Sequence, residues 1–158
     1  MAAKRYWLMK SEPGAYSFSD LQGEDDQTAE WDGVRSYTGR NYMRDEMKVG
    51  DEVLFYHSNA KPNAVVGTAV VVREGYPDDT AWDPDSEHPD AKSTPDNPIW
   101  YMVDIKAGTG FTRPVSLPEI KNTKGLEKMV LVNNSRLSIQ SVTSKEWKII
   151  LKMGMAES

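Results

Sequence analysis

The sequence predicts an α+β fold in which a curled sheet or small barrel of five or six strands carries short helices at its ends. Three observations lead there. Apolar runs of strand length recur along the chain, at 6–9, 52–57, 64–74, 100–106 and 136–142. The helical patterns between them are short and begin at Ser or Thr caps, and one long stretch, 75–98, gathers five prolines. At 158 residues the chain fits one domain, 1–158, able to bury roughly 70% of its unfolded surface around a core.

Tyr6-Trp7-Leu8-Met9 has the density of a buried strand, and Ser11-Glu12-Pro13-Gly14 ends it, so Lys10 and Ser11 stand at its C-terminal mouth. A short helix over 17–22 follows, with Ser17 or Ser19 as cap and Gly23 as stop. From Ser36 as N-cap, the spacing of Tyr37, Met43 and Met47 predicts a helix to Met47. Lys48-Val49-Gly50-Asp51 is a turn into the strand 52–57, and the valine-rich run 64–74 is the next strand, with Gly67 where a bulge is tolerated. Residues 75–98 read as a long surface loop, and 100–106 alternates as a half-buried strand punctuated by Gly108 and Gly110. Ser116 caps a short helix at 117–120. The strand 136–142 leads into a C-terminal helix opened by the capping box Thr143-x-x-Glu146.

Five Trp and seven Tyr suit a globular chain, and no apolar run approaches 18 residues, so no membrane span is expected. The N-terminus meets charge after three residues and lacks a cleavage signal, which argues against a signal peptide. With no cysteine there is no disulfide or thiolate chemistry, and the expected compartment is the cytoplasm, or the nucleus in a eukaryote. The net charge of -5 is uneven: residues 74–98 hold eight acids against one base, while the rest holds 16 acids and 18 bases. That excludes a broad polyanion binder and leaves room for a local basic face, expected from Lys4, Lys10, Arg35, Arg40, Arg44 and Arg136.

The stretch Trp31-Asp-Gly-Val-Arg-Ser-Tyr-Thr-Gly-Arg-Asn-Tyr-Met-Arg44 packs aromatic faces, guanidinium groups and amide or hydroxyl donors into fourteen residues with two glycines. Indole and phenol can stack on a flat ring, arginine can meet phosphate, and Asn can bond a base edge from two sides. Trp31 is therefore expected to wall a pocket with its indole partly open, whereas Trp100 and Trp147 read as core. The glycine spacing is not that of a phosphate-binding Walker loop. Asp83-Pro-Asp-Ser-Glu87 lacks the glycine of a calcium loop, so no metal is expected. His88 reads as exposed. His57 at a strand end reads as a pocket wall or as a general base, although no triad can be assembled around it. Asn133-Asn-Ser135 matches a glycosylation acceptor, of no consequence without secretion.

Several segments, in order, resemble the EVE domain, the domain of bacterial proteins and of the thymocyte nuclear protein family. They are Tyr6-Trp-Leu-Met-Lys-Ser-Glu-Pro13, Trp31 to Tyr37 with Arg40-Asn41, Phe55-Tyr-His-Ser-Asn59, Glu74-Gly-Tyr-Pro-Asp78, Asp96 to Trp100, and Met129-Val-Leu131 with Arg136 to Gln140. The resemblance implies a PUA-like barrel related to YTH and ASCH domains. It also implies a non-enzymatic reader of a modified nucleobase, methylated or hydroxymethylated cytosine or methylated adenine, in DNA or RNA. A flipped base needs flat faces, here Trp31 and Tyr37, and fixed donors, here Lys10, Ser11, Asn41, His57 and Ser58. Arg35 and Arg40 are expected outside on phosphate. Val34, Tyr76, Pro77 and Arg136, within the matching segments, complete the expected ligand-binding set. No cofactor is implied, and the protein is expected to act as a monomer. Two other readings stay open: an enzyme acting on a modified base, with His57 as acid or base and Lys10 as stabiliser, and a protein-interaction module.

Overall fold

The computed structural model describes residues 4–133 and 136–156. Asn134 and Ser135 of the acceptor pattern lie outside the described residues. Six strands form one sheet in the order β2-β5-β4-β3-β1-β6, where β1 is Tyr6–Ser11, β2 Thr28–Glu30, β3 Glu52–His57, β4 Ala64–Pro77, β5 Tyr101–Ser116 and β6 Ile139–Val142. β1 runs parallel to β3, and every other pair is antiparallel. β1 and β3 lie inside the sheet and are covered on both faces, which is why they read as unbroken apolar runs. Trp7, Met9, Val53 and Phe55 enter one core, with Phe18, Trp31 and Met43. Leu8, Leu54 and Tyr56 enter the other, with Val115, Ile120, Trp147 and Ile150.

The sheet is curved, as expected, but its ladder stays open, because β2 and β6 are the two edges and no pairing joins them. Curvature comes from the β4–β5 pair, whose register shifts four times. Gly108, expected to end a strand, lies inside β5. A Cβ there would stand 2.5 Å from Thr68 Oγ1, so glycine admits a close approach rather than a turn. Gly67 works likewise, with the Phe18 ring 2.6 Å from a would-be Cβ.

The helices begin where their caps are. α1 (Phe18–Gln22), α3 (Leu117–Lys121) and α5 (Ser144–Gly154) each start at a capping box, set by Ser17, Ser116 and Thr143 respectively. α4 is Val130–Asn133. α2 (Tyr37–Asn41) starts at Ser36, whose Oγ accepts from the Gly39 N–H at 3.1 Å, and then widens into a π turn at Tyr42–Glu46 instead of continuing to Met47 as an α-helix. Residues 75–98 are not a plain surface loop. The first three extend β4, and the remainder folds back as a strap in which Asp78 and Ser93 are wholly buried.

Candidate nucleic-acid interface

A cleft of about 830 Å³ opens between the C-terminal end of β1, the short edge strand β2 and residues 31–36. This lies within the usual size of small-ligand sites, ~300–1,000 Å³. Of the residues expected to bind ligand, Lys10, Ser11, Trp31, Val34 and Arg35 line it.

The loop 31–36 is held at alternate residues, Trp31, Gly33 and Arg35. The Trp31 N–H donates to Val103 O at 2.8 Å, adding one more bond to the β2–β5 pairing. Gly33 then turns with φ +78°, a conformation that favours glycine, and its N–H donates to Asp78 Oδ2 at 2.8 Å. Arg35 donates to the same oxygen at 3.0 Å, to Val34 O, and through Nε and a terminal nitrogen to His88 O. Thr80 fills the other oxygen of Asp78. Burial, the largest single influence, pushes the Asp78 carboxyl up. The hydrogen bonds from Thr80, Gly33 and Arg35, together with the Arg35 charge, overturn it and hold the pKa below the usual value.

This geometry changes what several residues do. Arg35 spends four of its five N–H donors inside the protein. It fastens the strap to the cleft and has little left for a phosphate. His88, expected to be exposed, is half-buried: its ring fills the space beside Gly33, 2.4 Å from a would-be Cβ, and its Nε2 lies 3.7 Å from Asp32. Trp31 is 9% exposed, and its ring stands edge-on to Phe55 at 5.5 Å. It walls the cleft from a core position, more enclosed than an open indole.

Outside the cleft a layered stack runs to the surface. The Arg40 guanidinium covers Tyr37 at 4.8 Å, Tyr37 lies on Trp100 at 5.1 Å, and Arg35 covers Trp100 at 5.6 Å. Tyr37 is 60% exposed and so belongs to the outer surface rather than the pocket wall. Asn41 is occupied by Arg40 Nε at 3.0 Å, and Arg40 also donates to Ile99 O.

His57 and Ser58 are not brought to this cleft. The Ser58 N–H donates to Ser11 O, and the His57 ring lines a separate cavity of about 480 Å³ with Lys61, Pro114 and Glu119. His57 Nε2 accepts from the Phe18 N–H at 3.1 Å, and burial lowers its pKa. The ring accepts as a neutral cap for α1, and it lines a different cavity from Lys10, whereas the enzyme reading puts the two together. Tyr76 donates to Asp104 beneath the Arg73 guanidinium, beside Pro77 at the end of β4, and Arg136 is exposed; none of the three lines the cleft. Of the six bases expected at its mouth only Lys10 and Arg35 line it, while Lys4 pairs with Glu52 and Arg44 with Asp45.

The sequence reading missed the acidic side of the site. Glu24, Glu30, Asp32 and Glu87 line the cleft, as does Tyr16. Burial, with Asp78 next, raises the Asp32 carboxyl, and burial also raises Glu30. Burial, reinforced by Glu24, pushes the Tyr16 phenol up to about 12, and its Oη is buried without a hydrogen bond of normal geometry. Burial lowers the Lys10 ammonium. Asp32 stood inside the matching segment, but nothing local told that its carboxylate faces a cleft.

Fold and site together define a curved-sheet α+β domain that holds a cleft walled by Trp31 and Tyr16 on a braced loop. The EVE domain family model matches residues 5–153, and the chain belongs to the EVE domain family. Thymocyte nuclear protein 1 of Rattus norvegicus is 41% identical over 96% of this chain and 74% of its own length. A hypothetical protein from Leishmania major has the same fold with a TM-score of 0.91 and 46% identity, covering 96% of this chain and 95% of that one. Human THYN1, solved in complex with DNA containing 5-methylcytosine, superposes with a TM-score of 0.91 at 38% identity, over 98% of this chain and all of the human chain.

Proposed function

We propose that this protein binds a modified cytosine, 5-methylcytosine or its hydroxymethyl form, in DNA and leaves it chemically unchanged. The observation that carries this reading is the human complex with 5-methylcytosine DNA, whose protein matches this chain over nearly its whole length. It favours DNA over RNA and cytosine over adenine. The local geometry agrees. Extruding a base costs a few kcal/mol, and a stacked aromatic returns about 1–3 kcal/mol per base, so a fixed face such as Trp31 must be in place beforehand. Val34 lies beside it, and Lys10 supplies its ammonium from the end of β1, where the Ser11 hydroxyl donates to Tyr16 O and offers a ligand its lone pairs. The exposed Tyr37 with Arg40 above it is the platform for the strand outside the cleft.

The compartment follows the ligand. In a nucleated cell this reading implies the nucleus, in keeping with the name thymocyte nuclear protein 1 of its relatives.

A binding panel tests the reading. Duplexes that differ only in one cytosine, its 5-methyl or its 5-hydroxymethyl form are titrated by fluorescence anisotropy, and the recovered strands are weighed by mass spectrometry. Tighter binding of a modified duplex with unchanged mass is expected. Equal binding of all three, or a changed mass, rejects it.

A further inference from the structure

We propose that Asp32 selects the 4-amino group of the bound base, so that the cleft accepts 5-methylcytosine and rejects thymine. This deepens the reading above and rests on it.

The two bases share the ring and the 5-methyl group. They differ at position 4, where cytosine has an amino donor and thymine a carbonyl acceptor, and at N3, which accepts in one and donates in the other. A cleft that sensed only the methyl would be saturated by the thymine present throughout DNA. Something must read position 4, and a carboxylate is the side chain that accepts from the cytosine amino group.

The cleft wall supplies acceptors in excess, with Glu24, Glu30, Asp32 and Glu87 against Lys10 and Arg35. Among the four acids Asp32 has the shortest side chain and the most rigid mounting, since its neighbours Trp31 and Gly33 are both fixed through their backbone N–H groups. Glu24, Glu30 and Glu87, exposed as Asp32 is, carry longer side chains with more rotamer freedom to lose on holding a base. The Asp32 carboxylate is 41% exposed, and the nitrogen facing it, His88 Nε2, stands at 3.7 Å, beyond a normal hydrogen bond, so acceptor capacity remains. Tyr16 Oη, buried in the same wall beside Glu24, adds a second polar atom to this side of the cleft. Opposite a thymine O4, the carboxylate covered by the bound base would face a second acceptor, and neither could be satisfied.

The test uses short single strands, which need no base extrusion, identical except for a central 5-methylcytosine, cytosine, thymine or 5-methylpyrimidin-2-one. The last keeps the methyl and lacks any group at position 4. Wild-type protein should bind 5-methylcytosine about tenfold or more tighter than thymine or the pyrimidinone, the usual worth of one well-made base contact. Asp32→Asn, whose amide can donate to O4, should bring thymine within about threefold of 5-methylcytosine. Equal wild-type affinity for 5-methylcytosine and thymine overturns the inference, as does an Asp32→Asn protein that keeps the full ratio. If that variant fails to fold by circular dichroism, the wild-type pyrimidinone arm decides alone: weak binding supports the role and binding equal to 5-methylcytosine overturns it. Failure of the parent reading looks different. Cytosine and 5-methylcytosine bound alike, both well above thymine, would leave the amino selection standing while removing the methyl preference.

Discussion

At the scale of single residues, Trp31 carries two loads at once. It is 9% exposed and edge-on to Phe55, so it belongs to the core, yet it also walls the cleft. Trp31→Ala should weaken binding of the modified strand by about 1–3 kcal/mol, the worth of one stacking partner. The same change should lower folding stability by about 3–5 kcal/mol, the usual cost of truncating a buried aromatic. The two are separable when affinity is measured at a temperature where circular dichroism shows the variant folded. Undiminished affinity in the folded variant would remove Trp31 from the binding surface. Arg35 shows the reverse. Its residue type suggests a phosphate contact, but its bonds to Asp78 and His88 O make it a brace. The side chain was legible in the sequence and its partner was not, because Asp78 lies 43 residues away.

At the scale of elements, what was readable in advance was what is decided locally. The caps at Ser17, Ser36, Ser116 and Thr143 act within three residues, and each starts a helix where the spacing placed it. β2 was not readable, since Thr28-Ala-Glu30 has no strand pattern of its own and exists only because β5 offers it a partner. The strap 78–98 escaped notice for the same reason: its acids look like a solvated run, but Asp78 and Asp90 are spent on Gly33, Arg35 and the Trp100 indole. His57 gives this level its prediction. Burial holds its pKa below the ordinary 6.5, and the neutral ring accepts the Phe18 N–H of α1. For a group whose folded pKa is lowered, the contribution is complete above the unfolded value and is lost as pH falls through the folded one. The melting temperature of the wild type, relative to His57→Gln, should therefore be constant above pH ~6.5 and drop below it, by about 2–4 °C for a bond worth about 1 kcal/mol. A difference that is flat down to pH 5 would mean that His57 does not cap α1 through a neutral nitrogen.

At the scale of the whole molecule, charge and function pull in opposite directions. A chain with net charge -5 has to approach a polyanion, and several of its bases are spent: Lys4, Arg44, Lys106 and Arg113 pair with acids, and Arg35 is locked to the buried Asp78. Arg40 is different, because it binds Ile99 O and Asn41 and covers the exposed Tyr37 beside the cleft. Arg136, exposed near Ser138 of the cleft wall, is the other candidate for a phosphate. With about two phosphate contacts, log K for a duplex should fall with log salt at a slope of about -2, against about -10 for a strongly electrostatic binder. Arg40→Ala should make that slope shallower by about one and lower affinity for modified and unmodified DNA alike, since phosphate contacts position a ligand without identifying its base. Titrations from low to physiological salt measure both quantities. An Arg40→Ala protein that kept its affinity but lost the preference for the modified strand would place Arg40 on the base and return the phosphates to the end of β1, where Lys10 stands.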